Sequence, residues 1–84
     1  MHFTFSESAS RDVKKLPKNI QKRLRTKLRH CQSAAEPLSF GKRLSKHQVA
    51  THRFRVGAYR LLVKQTGQEL RILRVRHRKD VYKT

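Results

Sequence analysis

The chain has 84 residues and a mass of 10.0 kDa, which suffices for one small domain (1–84) and leaves no room for a second core. Its 22 lysines and arginines against five acidic residues give a formal net charge of +17. This excess disfavours a basic or metal substrate and favours a polyanionic partner. Twenty-one residues are Leu, Ile, Val or Phe, more than a disordered chain contains, so we expect a folded core.

The sequence lacks the features of several protein classes. No apolar run approaches the ~20 residues of a membrane-spanning helix, and Met1 to Phe5 have neither the basic nor the apolar region of a signal peptide, so no membrane partner is expected. The single cysteine, Cys31, forms no internal disulfide and fits a reducing cytoplasm. The histidines lack paired ligand spacing and the carboxylates are not clustered, so neither a metal site nor a cofactor is predicted.

The N-terminal half predicts one strand and two helices. Phe3 and Phe5 alternate with polar residues, which is typical of a short strand. Ser6 is a favourable N-cap for a first helix, which Pro17 ends. The second helix has an apolar stripe made of Ile20, Leu24, Leu28 and Cys31.

The opposite face of the second helix carries six cations and no acid: Lys18, Lys22, Arg23, Arg25, Lys27 and Arg29. This face is either solvated or in contact with phosphates, and unpaired like charges destabilise a helix, so both interpretations stand. Residues 33–51 are predicted to form a loop, with a single helical turn around 38–44 as an option. The loop adds three further cations, Lys42, Arg43 and Lys46.

The last third of the chain predicts a β-hairpin. Residues 52–56 and 59–65 alternate between apolar and polar on either side of Gly57-Ala58, which reads as a two-residue turn. Such a turn pairs Val56 with Tyr59 and Arg55 with Arg60. One face of the hairpin is then apolar, and the other gathers a set of cations comprising Arg53, Arg55, Arg60 and Lys64.

A second turn at Thr66-Gly67 leads to a third strand from Glu69 to about Arg76, whose apolar residues do not keep one parity. Leu70 and Ile72 share one face, whereas Leu73 and Val75 share the other. Either the strand is buried on both sides or a bulge shifts its phase near Ile72. The order of elements predicts an α+β fold in which an N-terminal helical pair packs on a sheet.

Taken together, three segments of the chain resemble the RelE/ParE toxin superfamily of bacterial type II toxin–antitoxin systems. They are DVKKLPKNIQKRL (12–24), HRFRVGAYRLLV (52–63) and ILRVRHRKDVY (72–82). The resemblance covers essentially the whole chain and implies a four-stranded antiparallel sheet that includes the first strand. Its RelE branch cuts messenger RNA in the ribosomal A site without metal, whereas its ParE branch inhibits DNA gyrase. The ending from His77 to Tyr82 is similar to that of the RNA-cutting branch.

The resemblance also implies which residues do the chemistry. Basic residues before the G-x-Y-R turn, the arginine of that turn, and an arginine and a tyrosine in the tail correspond to Arg53, Arg55, Arg60, Arg78 and Tyr82. Several members have lysines where this chain has the first two of these arginines, and an arginine does not readily give up a proton.

Two of the tail residues have more than one interpretation. His77 is a further candidate because imidazole titrates near neutral pH, although a structural role at the end of a strand is the alternative. Tyr82 either acts on the substrate, by stacking or by proton transfer, or packs over the core.

The predicted function is that of a ribosome-dependent, metal-independent endoribonuclease toxin in the cytoplasm. Its predicted partners are a cognate acidic antitoxin, the ribosome and mRNA, with operator DNA reached only through the antitoxin. The nine helix and loop cations are predicted to bind ribosomal RNA. The alternatives are a gyrase-inhibiting toxin and a basic RNA- or DNA-binding protein without activity.

Overall fold

The computed structural model describes residues 1–81 of the chain, with side chains through residue 79. Two helices follow the first strand, as predicted. The hydroxyl of Ser6 caps the first helix by accepting a hydrogen bond from the Ala9 N–H at 3.0 Å. Pro17 separates the helices and stands at the N-cap of the second. The helices are α1 (Glu7–Lys14), α2 (Lys18–Ser33) and a short C-terminal α3 (Arg78–Val81).

The strands of the described chain are β1 (His2–Phe5), β2 (Gly41–Arg43), β3 (His52–Val56), β4 (Tyr59–Thr66) and β5 (Glu69–His77). They form one sheet in the order β1-β5-β4-β3-β2. The α+β class and the helical pair are confirmed, but two details of the predicted sheet are wrong. Within the described residues the sheet has five strands rather than four, and β1 pairs with β5 in parallel, while the other neighbours are antiparallel.

The additional strand, β2, lies within the segment that was predicted to be a loop. A 3₁₀ turn at Pro37–Phe40 leads directly into it, so the optional helical turn is shorter than predicted. Gly41 pairs with Phe54 on β3, and a Cβ at Gly41 would stand only 2.8 Å from the Phe54 ring. The edge strand can therefore form at this register because Gly41 has no side chain.

The predicted hairpin register is confirmed, since Val56 pairs with Tyr59 and Arg55 with Arg60. Gly57 has a φ of +58° and Ala58 has a negative φ, the combination that a type II′ turn uses. The phase problem of β5 is resolved by a bulge, because Leu62 pairs with Arg74 while Val63 pairs with Ile72. Leu73 is the additional residue, and its carbonyl accepts a hydrogen bond from the Ser6 hydroxyl at 2.9 Å.

Both long helices pack against one face of the sheet. Cys31 closes the buried stripe of α2, and burial raises the pKa of its thiol, as expected for a packed rather than a reactive cysteine. His52 is also buried. Burial lowers the pKa of its imidazole, and the positive charge of Arg43 lowers it further. The core consists of Ala9, Leu24, Leu28, Cys31, Phe54, Val56, Leu61, Val63, Leu70, Ile72 and Val75.

Beyond the end of β1, the edge of β5 is bound by α1. The carboxylate of Asp12 accepts hydrogen bonds from the Val75 N–H and from Nε of Arg74, both at 2.9 Å. Partial burial opposes ionisation of Asp12, but these hydrogen bonds and the charges of Arg74 and Arg76 hold its pKa below the ordinary value. Asp12 therefore attaches α1 to an edge that would otherwise be unpaired.

Candidate active site

The face of the sheet opposite the helices is strongly basic. Cross-strand partners share a face, so the register places the outward side chains of β2 to β5 in rows across the sheet. One row contains Arg55, Arg60 and Arg76, and the next contains Lys42, Arg53, Leu62 and Arg74. A surface with this density of guanidinium groups is complementary to a polyanion such as RNA.

The tight turn between β3 and β4 positions two of these arginines. Arg55 is the next-to-last residue of β3 and Arg60 is the second residue of β4, and they face each other directly. The left-handed conformation of Gly57 keeps the turn to two residues, so both guanidinium groups stay near its tip.

The third arginine, Arg78, is the first residue after β5. The chain leaves β5 at His77 and starts α3, where the Arg78 N–H donates a hydrogen bond to the carbonyl of Ala58 at 2.8 Å. This bond ties the start of α3 to the hairpin turn. Arg55, Arg60 and Arg78 then surround a pocket of about 280 Å³ together with Gly57 and Ala58. Arg78 thus joins the two hairpin arginines at one small basic pocket.

Two other predicted site residues, Arg53 and His77, do not line this pocket. Arg53 is half-buried one row away from the pocket, opposite Lys42 and Leu62. The ring of His77 packs edge-on against Tyr59, with centroids 5.1 Å apart, and its Nδ1 accepts a hydrogen bond from the Lys79 N–H at 3.2 Å.

These contacts of the His77 ring favour a structural role. Tyr82 lies outside the described residues. Within residues 1–79, no group of three histidine, cysteine or acidic side chains comes together in a way that could hold a metal ion.

Arg76 was not predicted as a site residue, although it pairs with Arg60 on β5. The bulge at Leu73 reverses the parity of the strand, so the sequence pattern alone could not assign Arg76 to a face. Its charge acts on Asp12, and the two residues line a shallow pocket at the edge of β5. Arg76 therefore lies beside the arginine pocket but is partly balanced by a carboxylate.

The cations of α2 are all exposed, as predicted for its polar face. A surface groove of about 420 Å³ lies along the helix and contains four of them: Lys18, Lys22, Arg25 and Arg29. Lys42 and Arg43 lie on β2 rather than in a loop, and Lys46 is exposed just after it. No helix of the described chain combines the length and apolarity required to cross a bilayer.

Comparison with known proteins identifies the family. The family model described as the ParE toxin of type II toxin–antitoxin systems, parDE, matches residues 3–82. The chain belongs to this family. It therefore falls within the RelE/ParE superfamily, as the three sequence segments indicated, and it is a toxin of a type II toxin–antitoxin system.

Two relatives with similar sequences have RelE-type names. The chain is 36% identical over 81 residues to Toxin RelG of Mycobacterium tuberculosis, covering 94% of this chain and 92% of the relative. It is 30% identical over 84 residues to Toxin RelE3 of Methanocaldococcus jannaschii, covering 98% and 96%.

Solved structures of toxin–antitoxin complexes contain the same fold. The RelBE2 complex of Mycobacterium tuberculosis matches with a TM-score of 0.76 and 35% identity, covering 90% of this chain and 88% of the other. The RelB–RelE complex of Methanococcus jannaschii matches with a TM-score of 0.73 and 27% identity, covering 94% of each chain.

Proposed function

We propose that this toxin is a ribosome-dependent endoribonuclease that cleaves mRNA and stops translation. The proposal is based on the pocket formed by Arg55, Arg60 and Arg78 on the face of the hairpin opposite the helices. A cluster of guanidinium groups at one small pocket suits a phosphodiester, since each guanidinium can bind two phosphate oxygens. The RelE-type names of the two relatives support the same activity.

In the proposed reaction the 2′-hydroxyl of the RNA is the nucleophile, and no metal ion takes part. The 2′-hydroxyl loses its proton as its oxygen attacks the adjacent phosphate, and the resulting phosphorane carries additional negative charge. The bond to the 5′-oxygen then breaks, which leaves a 2′,3′-cyclic phosphate on one fragment, and the 5′-oxygen takes up a proton to become the 5′-hydroxyl of the other. Arg60 and Arg55 are assigned to stabilise the phosphorane, because both lie at the pocket and are fixed by the hairpin register. Arg78 binds the same phosphate from α3, and Arg53 orients the substrate from the next row.

Tyr82 is the candidate for contact with the reacting nucleotide, by the resemblance of the tail. A comparison of Tyr82→Phe with Tyr82→Ala separates its two possible roles. If the hydroxyl transfers a proton, Tyr82→Phe loses most of the single-turnover cleavage rate. If the ring only stacks on a base, Tyr82→Phe retains the rate and Tyr82→Ala loses it.

The proposed partners follow from charge and from the relatives. The solved relatives are complexes with antitoxins, and we propose a cognate acidic antitoxin for this chain, because its charge of +17 requires a complementary surface. Ribosomal RNA is proposed to bind the exposed cations of α2 and of the segment around β2. Operator DNA would be reached only through the antitoxin, and the site of action is the cytoplasm.

Inhibition of DNA gyrase is the second candidate, and the name of the matching family model is the observation that favours it. Pulse labelling after induction distinguishes the two. An mRNA-cleaving toxin stops incorporation of labelled amino acid first, whereas a gyrase inhibitor stops incorporation of labelled thymidine first. A basic binding protein without activity would arrest neither.

A further inference from the structure

A second groove, of about 660 Å³, adjoins the arginine pocket. It lies between α2 and the β3–β4 turn, and its walls include Lys22, Arg23 and Lys27 from the helix. Arg55 and Gly57 belong to the walls of both cavities. The groove is therefore continuous with the pocket that is proposed to hold the scissile phosphate.

Arg23 differs from the other cations of α2 because it reaches the hairpin turn. A Cβ on Gly57 would stand 3.5 Å from Nη2 of Arg23, so the guanidinium group lies directly against the turn. Lys18, Arg25 and Arg29 line the other groove along the helix, which shares Lys22 and Thr26 with this one, and do not belong to its walls. Arg23 and Arg55 thus approach the same turn from the helix and from the sheet.

The groove is basic along its length. Lys27 extends the positive charge away from the turn, and its Nζ is held 5.4 Å from the centre of the Phe40 ring by a cation–π contact. Among the described side chains, no carboxylate lines the groove. The ion pairs among the described side chains, Arg11 with Glu7 and Arg74 with Asp12, involve none of its cations. A polyanion is the ligand that this charge distribution fits.

We propose that this groove binds the RNA backbone next to the cleavage site, with Arg23 in contact with a phosphate adjacent to the scissile one. The inference rests on the proposed endoribonuclease activity and adds a defined substrate contact to it. Because Arg55 and Gly57 line both cavities, the groove offers a continuous basic path past the turn for a strand that is held in the arginine pocket. Arg23 is then a substrate-binding residue rather than one of the ribosome contacts of α2.

Synthetic mRNAs with a single neutral linkage test this contact. The cleavage site is first mapped on ribosome-bound mRNA, and a methylphosphonate is then placed at each neighbouring phosphate in turn. Arg23→Ala should lower kcat/KM by about 10- to 150-fold, the value of one hydrogen bond to a charged group, with little change in kcat. The neutral linkage at the contacted phosphate should have a similar effect on the wild-type protein and less than ~3-fold further effect on Arg23→Ala. If Arg23→Ala and the neutral linkage act independently at every position tested, so that their fold-reductions in kcat/KM multiply, the inference is wrong.

A second test, which does not depend on cleavage, measures binding of a fluorescent ten-nucleotide single-stranded RNA to the full chain. Arg23→Ala should weaken binding and reduce the salt slope by about 0.7, whereas Lys14→Ala removes one exposed charge from α1 and should leave the slope unchanged. Arg23→Lys should restore only part of the affinity, since it keeps the charge and loses the planar fork.

The two proposals fail in different ways. If the wild-type protein cleaves no mRNA, the proposed function is wrong, but the RNA-binding measurement still tests whether Arg23 contacts RNA. If Arg23→Ala weakens binding of the antitoxin but not of RNA, the groove holds a protein segment and the inference is overturned. Equal RNA affinity for Arg23→Ala and Lys14→Ala would overturn it as well.

Discussion

Arg55 and Arg60 face each other directly across the β3–β4 hairpin, one on each side of the two-residue turn. Like charges in this position destabilise a sheet by about 0.2–1 kcal/mol, so the arrangement opposes folding rather than assisting it. The hairpin core forms on the other face, from residues such as Phe54 and Leu61. The pair is explained by the pocket that it forms with Arg78.

Replacing Arg60 by alanine tests the role of this pair in catalysis. Loss of a fixed positive charge at a developing phosphorane lowers the rate by about 10²–10³-fold, so Arg60→Ala should lose toxicity and single-turnover cleavage. The protein should remain folded and bind its antitoxin, because the repulsion with Arg55 is removed. Circular dichroism and thermal unfolding check the fold alongside the cleavage assay.

Lys64→Ala is the matched control, since Lys64 lies on the same face of β4 but outside the pocket. It should change the cleavage rate by less than ~3-fold. If Arg60→Ala arrests growth as the wild type does, the arginine pocket is not the active site, and gyrase inhibition becomes the better hypothesis.

The groove along α2 is expected to bind the ribosome rather than to take part in chemistry. Replacing Lys18, Arg25 and Arg29 by alanine, which line only this groove, should weaken ribosome binding and reduce its salt slope by roughly 0.7–0.9 for each lost phosphate contact. Single-turnover cleavage at saturating ribosome should be nearly intact. Unchanged affinity and slope would show that this face of the helix is only solvated.

Gly41 is predicted to be intolerant of a side chain. Its φ of −110° is accessible to alanine, so the effect of Gly41→Ala comes from the 2.8 Å approach to the Phe54 ring. We expect the free energy of unfolding to fall by about 1–3 kcal/mol in urea denaturation. Phe54→Leu should lower it by about 1 kcal/mol, and the double variant should be less destabilised than the two single effects together. Additive effects would contradict the steric explanation.

The attachment of α1 to β5 should depend on the ionisation of Asp12. Because folding lowers the pKa of Asp12, its contribution to stability is fully present above the unfolded pKa of about 3.9 and disappears as the pH falls through the lower folded value. Asp12→Asn should reduce the free energy of unfolding by about 1–2 kcal/mol at pH 7 and much less at pH 2.

Glu7→Gln is the control for Asp12→Asn. Its carboxylate is 91% exposed and lies 3.9 Å from Arg11, so its loss should change stability by less than about 0.5 kcal/mol. A difference between wild type and Asp12→Asn that is independent of pH would contradict the assigned role of the carboxylate.

The hairpin was predictable because its turn and its alternation are both local signals. A two-residue turn at Gly57-Ala58 allows only one register, and that register places Arg55 opposite Arg60. The N-cap at Ser6 and the buried stripe of α2 were predictable for the same reason. Each depends on residues within a few positions of one another.

The remaining features depend on contacts between distant parts of the chain. The parallel pairing of β1 with β5 is set by the route of the helices, which no local pattern in Phe3 or Phe5 specifies. The bulge at Leu73 exchanges the two faces of β5, so the sequence pattern did not place Arg76 beside Arg60. Arg78 reaches the pocket because its N–H binds the carbonyl of Ala58, and the sequence assigned this residue only by family resemblance.

We expect the arginine pocket to cleave mRNA by attack of the 2′-hydroxyl. Mapping of RNA ends tests it most directly, after purified toxin is added to ribosomes that carry a defined mRNA. We predict fragments with a 2′,3′-cyclic phosphate and a 5′-hydroxyl, and no cleavage when the nucleotide at the site is 2′-deoxy. Intact mRNA at stoichiometric toxin, or cleavage that persists at the 2′-deoxy nucleotide, would contradict this mechanism.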